Sequence, residues 1–178
     1  MLVYLLRHAS AGAPRANPTL DRKRGLDKEG KQQCLLVANC LNAMRVNLDA
    51  IVSSPLKRCL QTASLVATEV GFEQPIAIES SLEPAGTLAQ FETMLQKYAG
   101  FEHVLVVGHN PNLSLFVGSL VAMPPRTSRA NLRMRKGSFA RVDMSVRPRQ
   151  LLSLVDPRML QQIYASVAKS SRRKTSRK

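Results

Sequence analysis

The chain alternates between short apolar runs and longer stretches whose apolar residues return every third or fourth position. Met1–Leu6, Leu48–Ser53 and His103–His109 are runs rich in branched residues, each closed by polar or small ones, and they predict buried parallel strands. Pro75–Glu79 predicts a further short strand, and Ser138–Met144 with Gln150–Val155 a closing pair joined by a turn around Arg147-Pro148.

Between them, Cys34, Val37, Ala38, Leu41 and Met44 form the buried stripe of a helix that Asp27 caps. Leu56, Leu60, Ala63, Ala67 and Val70 mark a second, with Ser54 as its cap, Pro55 at its first position and Gly71 at its end. Thr87–Tyr98 is a third. Asn110-Pro111 repeats the cap-then-proline signal before a fourth, running through Val121, and Asp156-Pro157 opens a last helix ending near Ala168. Strands that alternate with helices predict the α/β class: a single three-layer α/β/α sandwich around a mostly parallel central sheet. It should span residues 1–168, followed by a basic, disordered tail over 169–178, without repeats or a second domain.

Two stretches fall outside this rhythm. Ala11–Gly25 is long for a loop and holds Pro14 and Pro18, which marks a lid or binding segment. Its Arg15, Arg22, Lys23 and Arg24 either face an anion or stand in solvent. Pro124–Lys136 is a basic connection.

Composition sharpens the picture in one direction. The chain has 178 residues and a formal charge of +14, so acidic partners are expected: phosphorylated ligands, nucleic acid or an anionic surface. The charge gathers in the tail, at Lys169, Arg172, Arg173, Lys174, Arg177 and Lys178, and between Arg126 and Arg149. The tail either makes a weak nucleic-acid or anionic-surface contact or is simply solvated. With 4% aromatics and no Trp, stacking platforms for single-stranded nucleic acid are not expected. No signal peptide is recognisable, and no stretch approaches the roughly 20 apolar residues of a membrane span. Cys34, Cys40 and Cys59 are odd in number and lie in helical patterns, which fits free thiols in a reducing cytoplasm.

The candidate chemistry lies at the strand ends. The first strand delivers Arg7 and His8, the helix after the second carries Arg58 near its start, and the fourth strand delivers His109. Parallel strands end on one edge of a sheet, where ligands bind in open α/β folds. Two arginines and two histidines would converge there on a tetrahedral anion, and the two helix starts would add free N–H groups. Walker, dinucleotide and zinc-ligand patterns are absent, so no metal or cofactor is expected.

Leu5-Leu-Arg-His-Ala9, Ser53-Ser-Pro-Leu-Lys-Arg-Cys-Leu-Gln-Thr-Ala63 and Val106-Val-Gly-His-Asn-Pro111 together resemble the histidine phosphatase superfamily, the group that includes cofactor-dependent phosphoglycerate mutases. Arg24–Gly30, Leu82–Gly86 and Lys136–Ala140 are similar to its SixA-type phosphohistidine phosphatase branch. The resemblance covers about residues 1 to 157 and implies a phosphoglycerate mutase-like fold. It implies a phosphatase with His8 as the nucleophile that becomes phosphohistidine. Arg7, Arg58 and His109 match the groups that hold the phosphoryl oxygens, and Ser10 and Asn110 beside the two histidines are expected to join them. Glu83 matches the acid that protonates the leaving group in larger members. The expected substrate is a phosphohistidine protein, with a small phosphorylated metabolite as the alternative; a basic binding module is the alternative of another class.

Overall fold

The computed structural model describes residues 1–122 and 130–175. In chain order the elements are β1 (Leu2–Arg7), α1 (Pro18–Arg22), α2 (Lys28–Ala43), β2 (Ala50–Ser53), α3 (Lys57–Val70), β3 (Ala77–Ile78), α4 (Leu88–Gln96), β4 (His103–Gly108), α5 (Asn112–Val121), β5 (Phe139–Asp143), β6 (Gln150–Val155) and α6 (Pro157–Thr175), with a 3₁₀ turn at Ser80–Leu82 before α4. The six strands form one sheet in the order β3-β2-β4-β1-β5-β6. The first four are mutually parallel, and β5 and β6 are added antiparallel at one edge.

The continuous apolar runs are explained by burial on both faces of the sheet. Val3, Leu5, Val104 and Val106 point to one side and pack with Phe91 and Met94 of α4 and Phe116 and Val117 of α5. Tyr4, Leu6, Ile51, Leu105 and Val107 point to the other and meet Val37 and Leu41 of α2 and Ala63 and Val66 of α3. This is the expected three-layer α/β/α sandwich. Asp27 caps α2 by accepting the Gly30 amide at 2.7 Å, and Gly71 ends α3 in the left-handed conformation at φ 71°.

The register positions the site. Leu6 pairs with Val107 and Arg7 with Gly108, while Ser53 pairs with that same Val107 on its other side. Strands β2, β4 and β1 are neighbours and stop at one level. The residues just beyond their ends therefore share one rim.

Several boundaries differ from expectation. Ser54 and Asn110 do not cap their helices: the caps are Leu56 and Pro111, neither with a side-chain hydrogen bond. Ser54 Oγ meets His109 Nε2 instead, and Asn110 is oriented by its side-chain N–H on the Met134 carbonyl, with its Oδ1 off the helix amides. Among the stripe positions of α3, Leu60 is only partly buried, and Cys59, Thr62 and Val66 complete the face instead. The expected third strand shrinks to two residues. The stretch 11–25 is not wholly irregular, since Asn17 accepts the Thr19 and Leu20 amides and starts α1. The last helix continues past Ala168 to Thr175. The first part of the basic connection, within residues 123–129, and the last three residues of the tail lie outside the described residues.

Candidate active site

His8 and His109 are the residues immediately after β1 and β4. The His8 amide donates to the Gly108 carbonyl at 3.0 Å, and the two ring centroids are 5.2 Å apart. His8 is 6% exposed and His109 2%. Nδ1 of His8 lies 2.8 Å from the Ala9 carbonyl, which can only accept, so Nδ1 carries the proton and Nε2 holds the lone pair. Burial, with the positive charges of Arg58, Arg7 and Arg24, lowers the His8 pKa to about 4, although the Ala9 carbonyl pulls the other way. Burial, the neighbouring His8 and the same arginines lower that of His109 to about 3. Both rings are neutral at pH 7.

Arg7 and Arg58 flank the rings closely enough for their charges to bear on both. An Arg7 terminal nitrogen donates to the Met134 carbonyl at 2.9 Å. Arg58, at the second position of α3, donates to the Asp21 carbonyl at 3.1 Å and its carboxylate at 3.3 Å. The Nε atoms of both arginines are buried and have no partner among the described residues. Burial lowers the pKa of each guanidinium. Two desolvated cations with unspent donors suit an anion.

The surrounding residues fix this geometry. The Thr62 hydroxyl accepts the Ala9 amide at 3.1 Å and donates to the Arg58 carbonyl at 2.7 Å, tying the His8 segment to α3. Ser54 Oγ meets His109 Nε2 at 2.9 Å, with Cys59 Sγ at 3.3 Å from the same nitrogen. Asp27 accepts the Ser10 hydroxyl and the Gly12 amide, and Gln33 accepts the Ser10 amide. Gly30 allows α2 to approach this turn, since a Cβ there would stand 2.0 Å from the Ser10 carbonyl oxygen.

Of the residues singled out in the sequence, His8, His109, Arg7 and Arg58 come together. Asn110 joins from one side: its amide nitrogen donates to the Met134 carbonyl that also holds Arg7, and its Oδ1 has no partner among the described residues. The Ser10 hydroxyl is spent on Asp27, so this residue shapes the turn after His8 instead of presenting a donor to the rim. The Glu83 carboxylate is paired with Arg22 of α1 at 2.6 Å, and Asn112 at the start of α5 donates to the carbonyls of Glu83, Pro84 and Gly86.

Sequence reading missed Asp21, Thr62 and Ser54 as members. Thr62 and Ser54 sit inside the motif around Arg58 and could have been found there. Asp21 had no signal, because the fold of α1 decides what it meets. Among the described residues no group of three or more His, Cys, Asp or Glu is placed to hold a metal ion.

A neutral imidazole with a free Nε2, two guanidinium groups and a second buried imidazole can receive a tetrahedral anion and offer it a nucleophile. That is the equipment of phosphoryl transfer on an α/β sheet. The sequence model of the histidine phosphatase superfamily (branch 1) matches residues 3–84. The phosphohistidine phosphatase SixA of Escherichia coli (strain K12) is 30% identical over 124 residues, covering 68% of this chain and 73% of that protein. An uncharacterized protein of Picosynechococcus sp. (strain PCC 7002) is 33% identical over 115 residues, covering 64% and 68%. The fold matches that of the protein histidine phosphatase SixA complexed with tungstate at a TM-score of 0.79, with 23% identity over 90% of this chain and 99% of that one. The chain belongs to the histidine phosphatase superfamily, and by class it is a phosphatase.

Proposed function

We propose that the protein is a phosphohistidine phosphatase working through a covalent intermediate on His8, with residues 1–168 as the catalytic domain and no metal or cofactor. The observation that carries this reading is the hydrogen bond from His8 Nδ1 to the Ala9 carbonyl, beside two arginines whose Nε donors are unspent. It leaves a neutral Nε2 as the attacking atom. The name of the Escherichia coli relative supports the same substrate class.

In the first step His8 Nε2 forms a bond to phosphorus while the bond from phosphorus to the substrate nitrogen breaks and takes its electron pair with it. The departing imidazole leaves as the neutral ring when its other nitrogen already carries a proton; otherwise the imidazolate formed takes a proton from solvent. Arg7 and Arg58 hold the equatorial oxygens, where charge gathers in the transition state. The hydrogen-bond partners at His109 Nε2 are both X–H groups; with either donating, the ring proton stands on Nδ1 as one more donor for the phosphoryl group. In the second step water attacks phosphorus, the Nε2–P bond breaks, and inorganic phosphate leaves with His8 restored. Glu83 is the candidate acid for substrates whose leaving group is an alcohol.

Rapid quenching after mixing with a phosphohistidine peptide tests this. The expected product is an acid-labile phosphoryl group on the tryptic peptide containing His8, absent from His8→Ala, whose turnover falls at least ~10³-fold. Turnover retained by His8→Ala rejects the intermediate. Faster hydrolysis of small phosphate esters than of the peptide rejects the substrate class and keeps the enzyme.

A second reading concerns α6. Met159 and Ile163 lie one turn apart and are 58% and 52% exposed, with Tyr164 38% exposed beside them. From Pro157 to Lys178 the sequence has seven basic residues and no acid. An apolar strip on a helix whose charged residues are all basic suits an anionic lipid surface better than nucleic acid, which offers no apolar phase. Co-sedimentation with vesicles containing phosphatidylserine, lost in Met159→Ser/Ile163→Ser, tests it; binding to RNA alone, unaffected by that change, rejects it.

A further inference from the structure

We infer that the preferred substrate carries a second anionic group, and that the cleft beneath α1 receives it; this rests on the phosphatase reading above. The cleft has a volume of about 420 Å³, and its lining includes Gly12, Arg15, Lys23 and Arg24. It lies close to the catalytic rim. Gly12 is four residues beyond His8, so the two Cα atoms are at most about 14 Å apart at roughly 3.3–3.6 Å per residue. Arg24 spans both regions, since its charge bears on His8 and His109.

The cations in and around this cleft divide into two kinds. Arg24 is spent on structure: Nε and one terminal nitrogen hold the Asp21 carboxylate at 2.8 and 3.3 Å, and the other donates to the carbonyls of Ala11 and Gly12 at 3.0 and 3.3 Å. Arg15 and Lys23 are not: among the described residues neither side chain has an ion-pair partner, although the Arg15 amide pins the loop to Asp21 at 3.0 Å. Lys136 adds a third cation at the edge, its Nζ 3.5 Å from the Gly12 carbonyl.

The nearby acids offset these cations only in part, through the Asp27 charge that Lys136 feels. Asp21 is consumed by Arg24 and Arg58, and Asp27 by the Gly30 and Gly12 amides and the Ser10 hydroxyl. Arg15, Lys23 and Lys136 therefore concentrate positive potential in a concave space a few residues from the nucleophile, at a cost in self-repulsion that a bound anion relieves. A carboxylate or phosphate on the same molecule as the scissile phosphoryl group fits that space. In a phosphohistidine protein it would be an acidic side chain within a few residues of the phosphorylated one, or across a surface from it.

Two substrate pairs distinguish the sources of the anion. One is a phosphohistidine peptide flanked by Glu or, at equal length, by Gln. The other is an aryl phosphate with or without a distal phosphate. With the full chain, the charged member of at least one pair should have a kcat/KM about tenfold higher, carried by KM and shrinking with added salt. Arg15→Gln/Lys23→Gln should abolish that preference and leave the neutral substrates within about twofold. Equal kcat/KM within both pairs, or a preference that survives the double substitution, overturns the inference. Binding of the same peptides to His8→Ala, read by fluorescence anisotropy, separates the two failures. An acidic preference there upholds the cleft even if turnover is nil; no preference there, together with equal kcat/KM within the aryl phosphate pair, sinks it.

Discussion

The rings of His8 and His109 sit 5.2 Å apart because Arg7 and Gly108 are paired in the parallel register of β1 and β4. One residue past that pair, both chains present an imidazole to the same small volume. Two buried imidazoles among three arginines cannot both be charged, so the geometry and the depressed pKa values are one fact seen twice.

Neither ring should titrate in the ordinary histidine range. With pKa values of about 4 and about 3, the Cε1 proton resonances of His8 and His109 in the free protein should not shift between about pH 8 and 5.5. An ordinary histidine near 6.5 would move through most of its range there. A midpoint near 6.5 for His8 would mean that neither its burial nor the field of Arg58 and Arg7 acts on it.

Acid stability depends on the same shifts. Above about pH 6.5 neither the folded nor the unfolded chain protonates these rings, and they contribute no pH dependence. Below it the unfolded chain takes up protons that the folded one refuses until about pH 4 for His8 and about pH 3 for His109. Stability is therefore lost as pH falls from about 6.5 towards 4, by about 3 kcal/mol from His8 alone. Urea midpoints at about pH 7 and pH 4.5 should show the fall. His8→Asn/His109→Asn should flatten it, and an unchanged slope would refute the assignment.

Asp21 offers a test of how Arg58 is held. Hydrogen bonding from Arg24 and the Arg15 amide, with the charges of Arg24 and Arg58, keeps its carboxyl down at about 2 against the opposing effect of burial. It is ionised at every working pH. Asp21→Asn keeps the shape and removes the charge, so KM for an aryl phosphate should rise about tenfold with kcat nearly unchanged. Asp21→Glu should recover part of the loss. A fall in kcat with KM constant would show that Asp21 serves the reacting atoms directly.

The parts of this molecule that were legible in the sequence are those fixed by short-range rules. Continuous apolar runs, buried on both faces, marked β1, β2 and β4, and the rule that parallel strands share an edge brought His8 and His109 together before any coordinates. What failed was decided by partners distant in sequence. Ser54 and Asn110 have the local signature of helix caps, but Ser54 meets His109, and Asn110 commits its side-chain N–H to the Met134 carbonyl while its Oδ1 takes no helix amide. The α1 segment looked irregular because Pro14 and Pro18 read as breakers. Yet Pro18 occupies the first helical position, where a missing N–H costs nothing. The pairing of Glu83 with Arg22 links residues 61 positions apart and had no sequence signal at all.

Gly30 should behave contrary to helix propensity. In an open helix, Gly→Ala gains about 1 kcal/mol. Here the added Cβ would meet the Ser10 carbonyl oxygen at 2.0 Å, on a residue whose own amide is held by Gln33, so α2 must move away from the turn behind His8. Gly30→Ala should cost about 2 kcal/mol or more in urea denaturation. Gly100→Ala, with nothing within 4 Å, is the control and should change stability little.

If it is the proposed acid, Glu83 should decide which leaving groups the enzyme can release. Its carboxylate is engaged by Arg22 at 2.6 Å, so it must shed that partner and take a proton before it can serve as an acid. An alkoxide departs poorly without a proton, whereas an imidazole nitrogen leaves with much less help. Glu83→Gln preserves the size of the side chain and its capacity to accept a hydrogen bond from Arg22. On a phosphohistidine peptide kcat should change by less than about threefold; on an alkyl phosphate it should fall by about 10² or more if Glu83 is the donor. Arg22→Gln, which frees the carboxylate, should raise the alkyl rate and leave the peptide rate alone. Equal losses on both substrates in Glu83→Gln would instead make the Arg22–Glu83 pair a clasp that holds α1 against the Glu83 loop, with no part in proton transfer.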